Sequence, residues 1–318
     1  MITSDSSHAQ HARLATALLA ALTSLLVAAV PALASPQPGA AGLGDRLNPG
    51  LGNGGYDVLH YDLALRYATS DPAQTLHGDE TILARATQDL SRFNLDFGGR
   101  NLTKVSVNGA PAGFRRDGEE LIVIPHAPLP NGQTFTVKIT NFSATPTELN
   151  PDDLHSTAFF VTPDGSATAP QPYDAHLIYP CNDHPRDKAT FTFTFDVPAG
   201  LKAIANGVDV GHSTTAGRTT WTYEMSQPMA TELTQLAVGN WDFGTPYDHG
   251  GVVVRDVTPP SFTAYMQPAL ALEPGQLDFM QARVGRYPFA TSGSLIVNAP
   301  VGFALETQTL SLFETSLF

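Results

Sequence analysis

The residues of this sequence whose types and spacing could do chemistry are concentrated between positions 179 and 191. Cys181, Asp183, His184 and Asp187 all lie in this stretch. A thiol beside a histidine base is the arrangement of a nucleophilic enzyme, and a cluster of His and Asp can bind a metal ion. Such clusters next to prolines more often form rigid turns, in which carboxylates accept backbone N–H groups, and free cysteines are more often buried and inert. We therefore predict a structural corner here, rather than a metal site or a catalytic thiol.

A search for a zinc-binding motif gives no candidate. The pattern H-E-x-x-H places two imidazoles one helical turn apart beside a glutamate base. None of the ten histidines is followed by glutamate, and none has another histidine four residues later. We therefore predict no metal ligands and no catalytic residues in this chain.

Composition restricts the class of protein and its partners. The chain has 318 residues, enough for about two domains, and 42% hydrophobic against 15% charged residues is typical of a globular protein with a core. Thirty acidic residues against seventeen basic ones give a net charge of -13. Because binding to phosphates needs clustered Lys and Arg, we predict no nucleic-acid partner.

The N-terminus has the features of an export signal. Arg13 precedes an uncharged apolar run over residues 14–30, and Ala32-Leu33-Ala34 then offers an A-x-A cleavage site. A single membrane anchor is the alternative, since the apolar run approaches the length that spans a bilayer. The adjacent cleavage site favours a signal peptide over 1–34, hence a secreted protein with no membrane association after cleavage. Residues 35–53 are rich in Pro, Gly and Ala and are predicted to be a flexible linker.

The following residues show the alternation of β-strands. Apolar side chains alternate over residues 56–65 and 189–197, and turn dipeptides such as Asn108-Gly109 and Asn206-Gly207 separate such runs. This pattern predicts a mostly β fold, with an antiparallel β domain over 54–255. Residues 269–284 are compatible with a helix in which Pro274 lies near the start or marks a break. The region 256–318 is too short to bury an ordinary core by itself.

The corner sequence also carries a family resemblance. Residues 180–191 resemble the P-C-x-D-x-P-x-x-K-A-x-F signature of aminopeptidase N-like zinc metallopeptidases, which belongs to their N-terminal β domain. Asn206-Gly207 is similar to the family's S/A-N-G turn, and Gly285 with Tyr287-Pro288-Phe289 to its G-x-Y-P-F element. The matching segments follow each other in the same order as in the family and together cover nearly all of residues 50–318. It implies an antiparallel β-sandwich or saddle domain over 54–255, followed by the incomplete start of a thermolysin-like α+β catalytic domain over 256–318.

The same resemblance implies residues that bind the substrate. The family's exopeptidase motif G-A-M-E-N corresponds to Phe303-Ala304-Leu305-Glu306-Thr307, with Gly302 just before it. Glu306 then stands at the carboxylate that binds the free α-amine of a peptide. Gly302, Phe303, Ala304 and Leu305 would contact the substrate backbone or shape its subsite.

A second amine-binding position follows from the β domain. Aligning Asp174-Ala175-His176 with the family's D-A-R sequence places Gln171 where the family has a Glu or Gln that binds the amine. A neutral amide accepts a hydrogen bond from an ammonium group, although more weakly than a carboxylate does.

The resemblance therefore predicts the N-terminal portion of a secreted zinc aminopeptidase. The full-length family enzyme removes N-terminal residues from peptide substrates by attack of a zinc-bound water, using an H-E-x-x-H motif and a second zinc-binding Glu that this chain lacks. We expect the chain alone to bind no zinc and to be inactive. The alternative is a secreted, non-catalytic β-sandwich module that binds peptide or glycan.

Overall fold

The fold consists mostly of β-strands, and the computed structural model describes residues 35–68 and 74–318. The predicted signal peptide, residues 1–34, lies outside the described residues. Within those two ranges, no helix is long and apolar enough to cross a membrane.

The strands that the structure describes are β1 (Gln37–Pro38), β2 (Tyr56–Tyr67), β3 (Leu76–Ala86), β4 (Leu90–Asp96), β5 (Lys104–Val107), β6 (Ala110–Pro111), β7 (Gly113–Asp117), β8 (Glu120–Ile124), β9 (Thr134–Ala144), β10 (Phe159–Thr162), β11 (Gly165–Thr168), β12 (Ala189–Pro198), β13 (Lys202–Ala205), β14 (Val208–Thr215), β15 (Arg218–Met229), β16 (Leu236–Gly239), β17 (Asp242–Phe243), β18 (Tyr247–His249), β19 (Val252–Val254), β20 (Val257–Thr258), β21 (Thr291–Ser292), β22 (Ser294–Val297) and β23 (Ser311–Glu314). Helices α1 (Thr263–Leu270) and α2 (Glu273–Val284) lie between β20 and β21.

The largest sheet has eight strands in the order β14-β15-β12-β2-β3-β9-β5-β6. Its neighbours are antiparallel except for the central pair β2 and β12, which run parallel with Leu63 opposite Phe193. Four-stranded sheets in the orders β1-β4-β8-β7 and β10-β11-β16-β13 complete the N-terminal region. The mostly β fold predicted from the alternation is confirmed, with parallel β2/β12 and β1/β4 pairs added to the antiparallel pattern.

The alternation of β2 is interrupted by a β-bulge. Its register against β3 shifts between Val58 and His60, so Leu59 is an extra residue. Val58 is buried before the bulge, whereas Tyr61 and Leu63 are buried after it. The buried face therefore changes from even to odd positions, which a strict period of two does not predict.

Two parts of the predicted flexible linker over 35–53 are held against the β domain, although most of its residues are exposed. Gln37–Pro38 forms β1, which pairs with β4. Asn53 is fully buried; its backbone N–H donates to Asn182 Oδ1 over 2.6 Å, and its Nδ2 donates to Asp96 Oδ1 over 3.0 Å. Small residues allow close backbone approach as well as flexibility, and composition does not separate the two outcomes.

The region after residue 255 combines helices with parallel strands. β20, β22 and β23 are parallel neighbours. Pro274 lies in the first turn of α2, as predicted, but the helix predicted over 269–284 begins only at Glu273, and α1 precedes it as a separate helix that the sequence pattern did not predict. Val257, Leu295 and Leu312 belong to the same apolar core as the β domain, and residues Pro36–Phe318 form one compact unit. The apolar core is therefore continuous across residues 255 and 256. The domain boundary predicted between them stays a prediction.

Candidate substrate-anchoring site

The segment that contains Glu306 folds back against β23. Leu305 N–H donates to Leu312 O over 3.0 Å, and Leu312 N–H donates to Leu305 O over 2.8 Å. Leu305 and Thr307 are buried, whereas Glu306 between them is exposed. This alternation presents the Glu306 carboxylate to solvent, where an incoming ammonium group can reach it.

The four predicted subsite residues have different surroundings. Phe303 and Ala304 are half-buried, and Gly302 is exposed, with its N–H donating to Glu314 Oε2 over 2.6 Å. Leu305 differs from the prediction: its side chain is in the core, only 3% exposed, and both of its backbone groups pair with β23. Leu305 therefore holds the segment in place and offers no free group to a substrate.

The Glu306 segment is tied to the β domain through the buried side chain of Asn206. Its Nδ2 donates to Gln308 O over 2.6 Å, and its Oδ1 accepts the N–H of Gln235 over 2.6 Å. Gln235 Nε2 in turn donates to Thr168 O over 2.5 Å. Both amide side chains are fully buried. The hydrogen bonds therefore connect the segment after Glu306 to the end of β11, three residues before Gln171.

Gly207, the second residue of the Asn-Gly turn, adds a further tie. Its N–H donates to Thr309 Oγ1 over 2.8 Å. Its φ is +89°, and a Cβ atom there would collide with the carbonyl oxygen of Glu224. Only glycine meets both conditions. Sequence reasoning identified this turn but not its contact with residues 308 and 309, because the partners lie about a hundred positions apart.

Gln171 lies on an exposed loop that is held by the buried residues Asp174 and His176 and by the more exposed His155. Asp174 N–H donates to Pro170 O over 2.9 Å, and the Asp174 carboxylate pairs with His155 Nδ1 over 2.6 Å. His176 Nδ1 pairs with Asp183 Oδ2 over 2.7 Å. The structure connects the loop to the Glu306 segment through the Asn206 bonds, and joint contact of both residues with one amine stays a prediction.

The corner predicted around residues 180–187 is confirmed as structural. Asp183 Oδ2 accepts the N–H of His176, and its Oδ1 accepts Thr231 Oγ1 over 2.7 Å. Asp187 accepts the N–H of Val58 and the side chain of Asn182. These carboxylates join the corner to neighbouring backbone, as Asp does in turns.

Cys181 lies inside the same corner, in surroundings that disfavour a nucleophilic thiolate. It is fully buried, and its backbone pairs with Asp96 in both directions, at 2.7 and 3.0 Å. Burial raises the pKa of the Cys181 thiol well above its usual range, and nearby carboxylates raise it further. Since the thiolate is the reactive form, both effects disfavour reaction of the Cys181 thiol.

The buried titratable groups around the corner have shifted pKa values. Burial is the main cause that raises the pKa of Asp96 and of Asp187 to about 7. Burial opposes the charge on His176, but the hydrogen bond that its ring donates to Asp183, with attraction by Asp183, Glu119 and Asp96, outweighs this cost and raises the pKa of His176 to about 9. Near neutral pH His176 therefore carries a positive charge beside the side chain of Asp183.

The described residues do not fit a zinc ion. Within residues 35–68 and 74–318, no group of three or more His, Cys, Asp and Glu side chains is arranged to bind a metal. The histidines of the corner are paired with carboxylates instead, as His176 is with Asp183.

Comparison with known proteins places the chain among peptidases. Residues 58–233 match the family described as the Peptidase M1 N-terminal domain. Aminopeptidase M1 of Arabidopsis thaliana is 33% identical over 85 residues, 27% of this chain and 10% of that protein. A leucyl aminopeptidase of Saccharolobus solfataricus is 27% identical over 150 residues, 46% of this chain and 18% of that protein.

Solved structures agree with this match. The M1 zinc metallopeptidase from Deinococcus radiodurans has a TM-score of 0.71 and 28% identity, covering 86% of this chain and 63% of that one. A mutant of that protein bound to a Tyr-Ser-Ala substrate has the same TM-score and identity, over 85% and 63% of the two chains. The chain thus spans less than two thirds of the length of each of these relatives.

Proposed function

Because the chain belongs to the M1 peptidase family, we propose that it is the substrate-anchoring N-terminal portion of a secreted zinc aminopeptidase. The complete enzyme would hydrolyse N-terminal residues from peptides. The residues that bind zinc would lie outside this chain, which alone would be inactive.

The exposed Glu306 carboxylate is the observation that supports this proposal most directly. A carboxylate pairs with the α-ammonium of a peptide, and this contact fixes the distance from the N-terminus to the bond that is cleaved. The segment around it is held on both sides, by Leu305 against β23 and by the carbonyl of Gln308 on Asn206. Because these contacts already hold the segment in place, binding of a peptide to Glu306 would cost little conformational entropy for ordering the segment.

The exposed apolar surface of α2 supports the proposal that a further part of the protein packs against this region. None of its residues is buried, and Phe279, Met280 and Val284 are 53%, 51% and 75% exposed. A concentration of large exposed apolar side chains marks a contact surface. The remaining part of a catalytic domain would cover it, and that part would also supply the zinc ligands that the described residues lack.

The amine anchor is tested by peptide binding. Calorimetric titration compares Tyr-Ser-Ala with its N-acetylated form, which has no ammonium group. We expect the free peptide to bind at least about tenfold more tightly, and Glu306→Gln to remove this preference. Glu148→Gln, at another exposed glutamate, is the matched control and should keep it. Equal binding of both peptides to the unchanged protein contradicts the proposal.

The assignment of zinc to residues outside this chain is tested separately. After dialysis against buffered zinc, metal analysis of the purified chain should find only substoichiometric zinc, and an alanine anilide should not be hydrolysed. One tightly bound zinc per chain would show that the chain holds a complete site.

Export is tested by expression with the native N-terminus. We expect protein in the culture medium whose first residue is Ser35. Protein that stays in the membrane with Met1 intact would favour the anchor instead.

A further inference from the structure

A cavity of 740 Å³ lies between the β14–β15 hairpin and residues 243–257. None of the predicted anchoring residues lines it. Its walls are mainly aromatic and aliphatic, and include Trp221, Tyr223, Phe243 and Val257. This volume and lining are typical of sites that bind small organic molecules.

Arg255 provides a buried positive charge in this cavity. The residue is 7% exposed, and its Nη2 donates to Ala205 O over 2.7 Å. Its Nε and Nη1 have no hydrogen-bond partner among the described residues. Its guanidinium lies 5.3 Å from the centre of the Tyr223 ring. A buried guanidinium with unused donors is costly, and an anion supplies the missing partner.

Other groups in the cavity add to the same preference. Lys202 Nζ lies 4.9 Å from the centre of the Phe243 ring. Trp221 Nε1 is buried and, among the described residues, also lacks an acceptor. The Trp221 ring is covered on one face by His212, with ring centres 4.1 Å apart. The cavity therefore combines an ammonium, a guanidinium and an indole N–H with aromatic surface.

The two carboxylates in the wall are engaged elsewhere. Asp209 Oδ1 accepts the N–H of Gly211 over 2.8 Å. Asp256 Oδ1 accepts the N–H of Ser294 over 3.0 Å, and its carboxyl group also bonds to Glu273. Neither forms an ion pair with Arg255 in the part of the chain that the structure describes. Asp209 lies near enough to attract the charge of Arg255, but the Nε and Nη1 donors of Arg255 are left for a ligand.

We propose that this cavity binds a small organic acid in which a carboxylate is attached to an aromatic ring. The carboxylate would accept hydrogen bonds from Arg255, and the ammonium group of Lys202 in the same cavity would add electrostatic attraction. The ring would pack against Trp221 and Phe243. The inference does not depend on the proposed peptidase function, since it uses different residues.

The test uses phenylacetate and its neutral analogue phenylacetamide as probes. Calorimetry measures both dissociation constants, and tryptophan fluorescence reports on Trp221. We expect phenylacetate to bind at least about tenfold more tightly than phenylacetamide, and Arg255→Gln to remove the difference. Equal affinities for the two probes, or no binding of phenylacetate at millimolar concentration, would overturn the proposal.

Two further variants decide the matter if Arg255→Gln fails to fold. Lys202→Gln should weaken phenylacetate severalfold and leave phenylacetamide unchanged, whereas Lys104→Gln, at an exposed lysine elsewhere, should change neither. Val210 lines the cavity and is 54% exposed, so Val210→Trp should fill the mouth of the cavity without disturbing the core. We therefore expect this variant to lose phenylacetate binding. Unchanged phenylacetate binding by both Lys202→Gln and Val210→Trp would place the ligand elsewhere.

Discussion

Replacing His176 by glutamine should make the stability of the protein less dependent on pH. The pKa of His176 is raised from 6.5 to about 9 in the folded protein, because Asp183, Glu119 and Asp96 outweigh the cost of burial. The stabilising contribution is fully present below the unfolded value of 6.5 and is lost as pH rises through 9. A shift of this size corresponds to roughly 3 kcal/mol of unfolding free energy.

The assay is urea unfolding of both proteins, followed by tryptophan fluorescence, at about pH 6 and about pH 10. The wild-type protein should be more stable than His176→Gln at the lower pH, and this advantage should shrink by roughly 3 kcal/mol at the higher pH. Taking the difference between the two proteins cancels the titration of groups that do not interact with His176. His126→Gln, at an exposed histidine, serves as the control and should show no pH-dependent difference.

An advantage of the wild-type protein that is equal at both pH values would refute the reasoning. It would mean that His176 contributes through packing rather than through its charge. His176→Arg provides an independent check, since guanidinium stays charged throughout this range. In that variant the ion pair with Asp183 should persist at the higher pH, so the stability that the pair contributes should not be lost there.

Three further predictions concern the anchoring segment and the corner. Asn206→Ala should reduce the unfolding free energy by about 1–3 kcal/mol, because the carbonyl of Gln308 loses a donor, and should weaken Tyr-Ser-Ala binding in calorimetry. Gly207→Ala should destabilise more than Gly217→Ala in thermal melts, because both glycines have positive φ but a Cβ at Gly217 meets open space. Cys181 should react with a thiol reagent only after unfolding; rapid labelling of the native protein would contradict its burial.

Local sequence pattern was enough to predict much of the architecture. Alternating residues such as Phe191, Phe193 and Phe195 give a buried face of β12, since side chains of a strand alternate between faces. Pro274 marked the start of α2, because proline suits a first helical turn. The corner around Asp183 and Asp187 was also recognisable from its turn-forming residues.

Other features were outside the reach of local pattern. The bulge at Leu59 depends on register against β3, which is a property of two strands. The packing of Asn53 depends on partners more than forty positions away. The family resemblance predicts Leu305 as a substrate contact, but its side chain is buried and its backbone pairs with β23.

The sequence by itself determined that its alternating segments become strands and that the chain belongs to the M1 peptidases, because both depend on residue type and spacing along the chain. Only the tertiary structure decided which side chains of those segments contact each other, which are exposed and which are buried. It placed Asn206 against Gln308, exposed Glu306, and buried Arg255 without a partner in an aromatic cavity. The physical reason is that burial and hydrogen bonding are set by groups distant in sequence, whose approach only the folded chain defines.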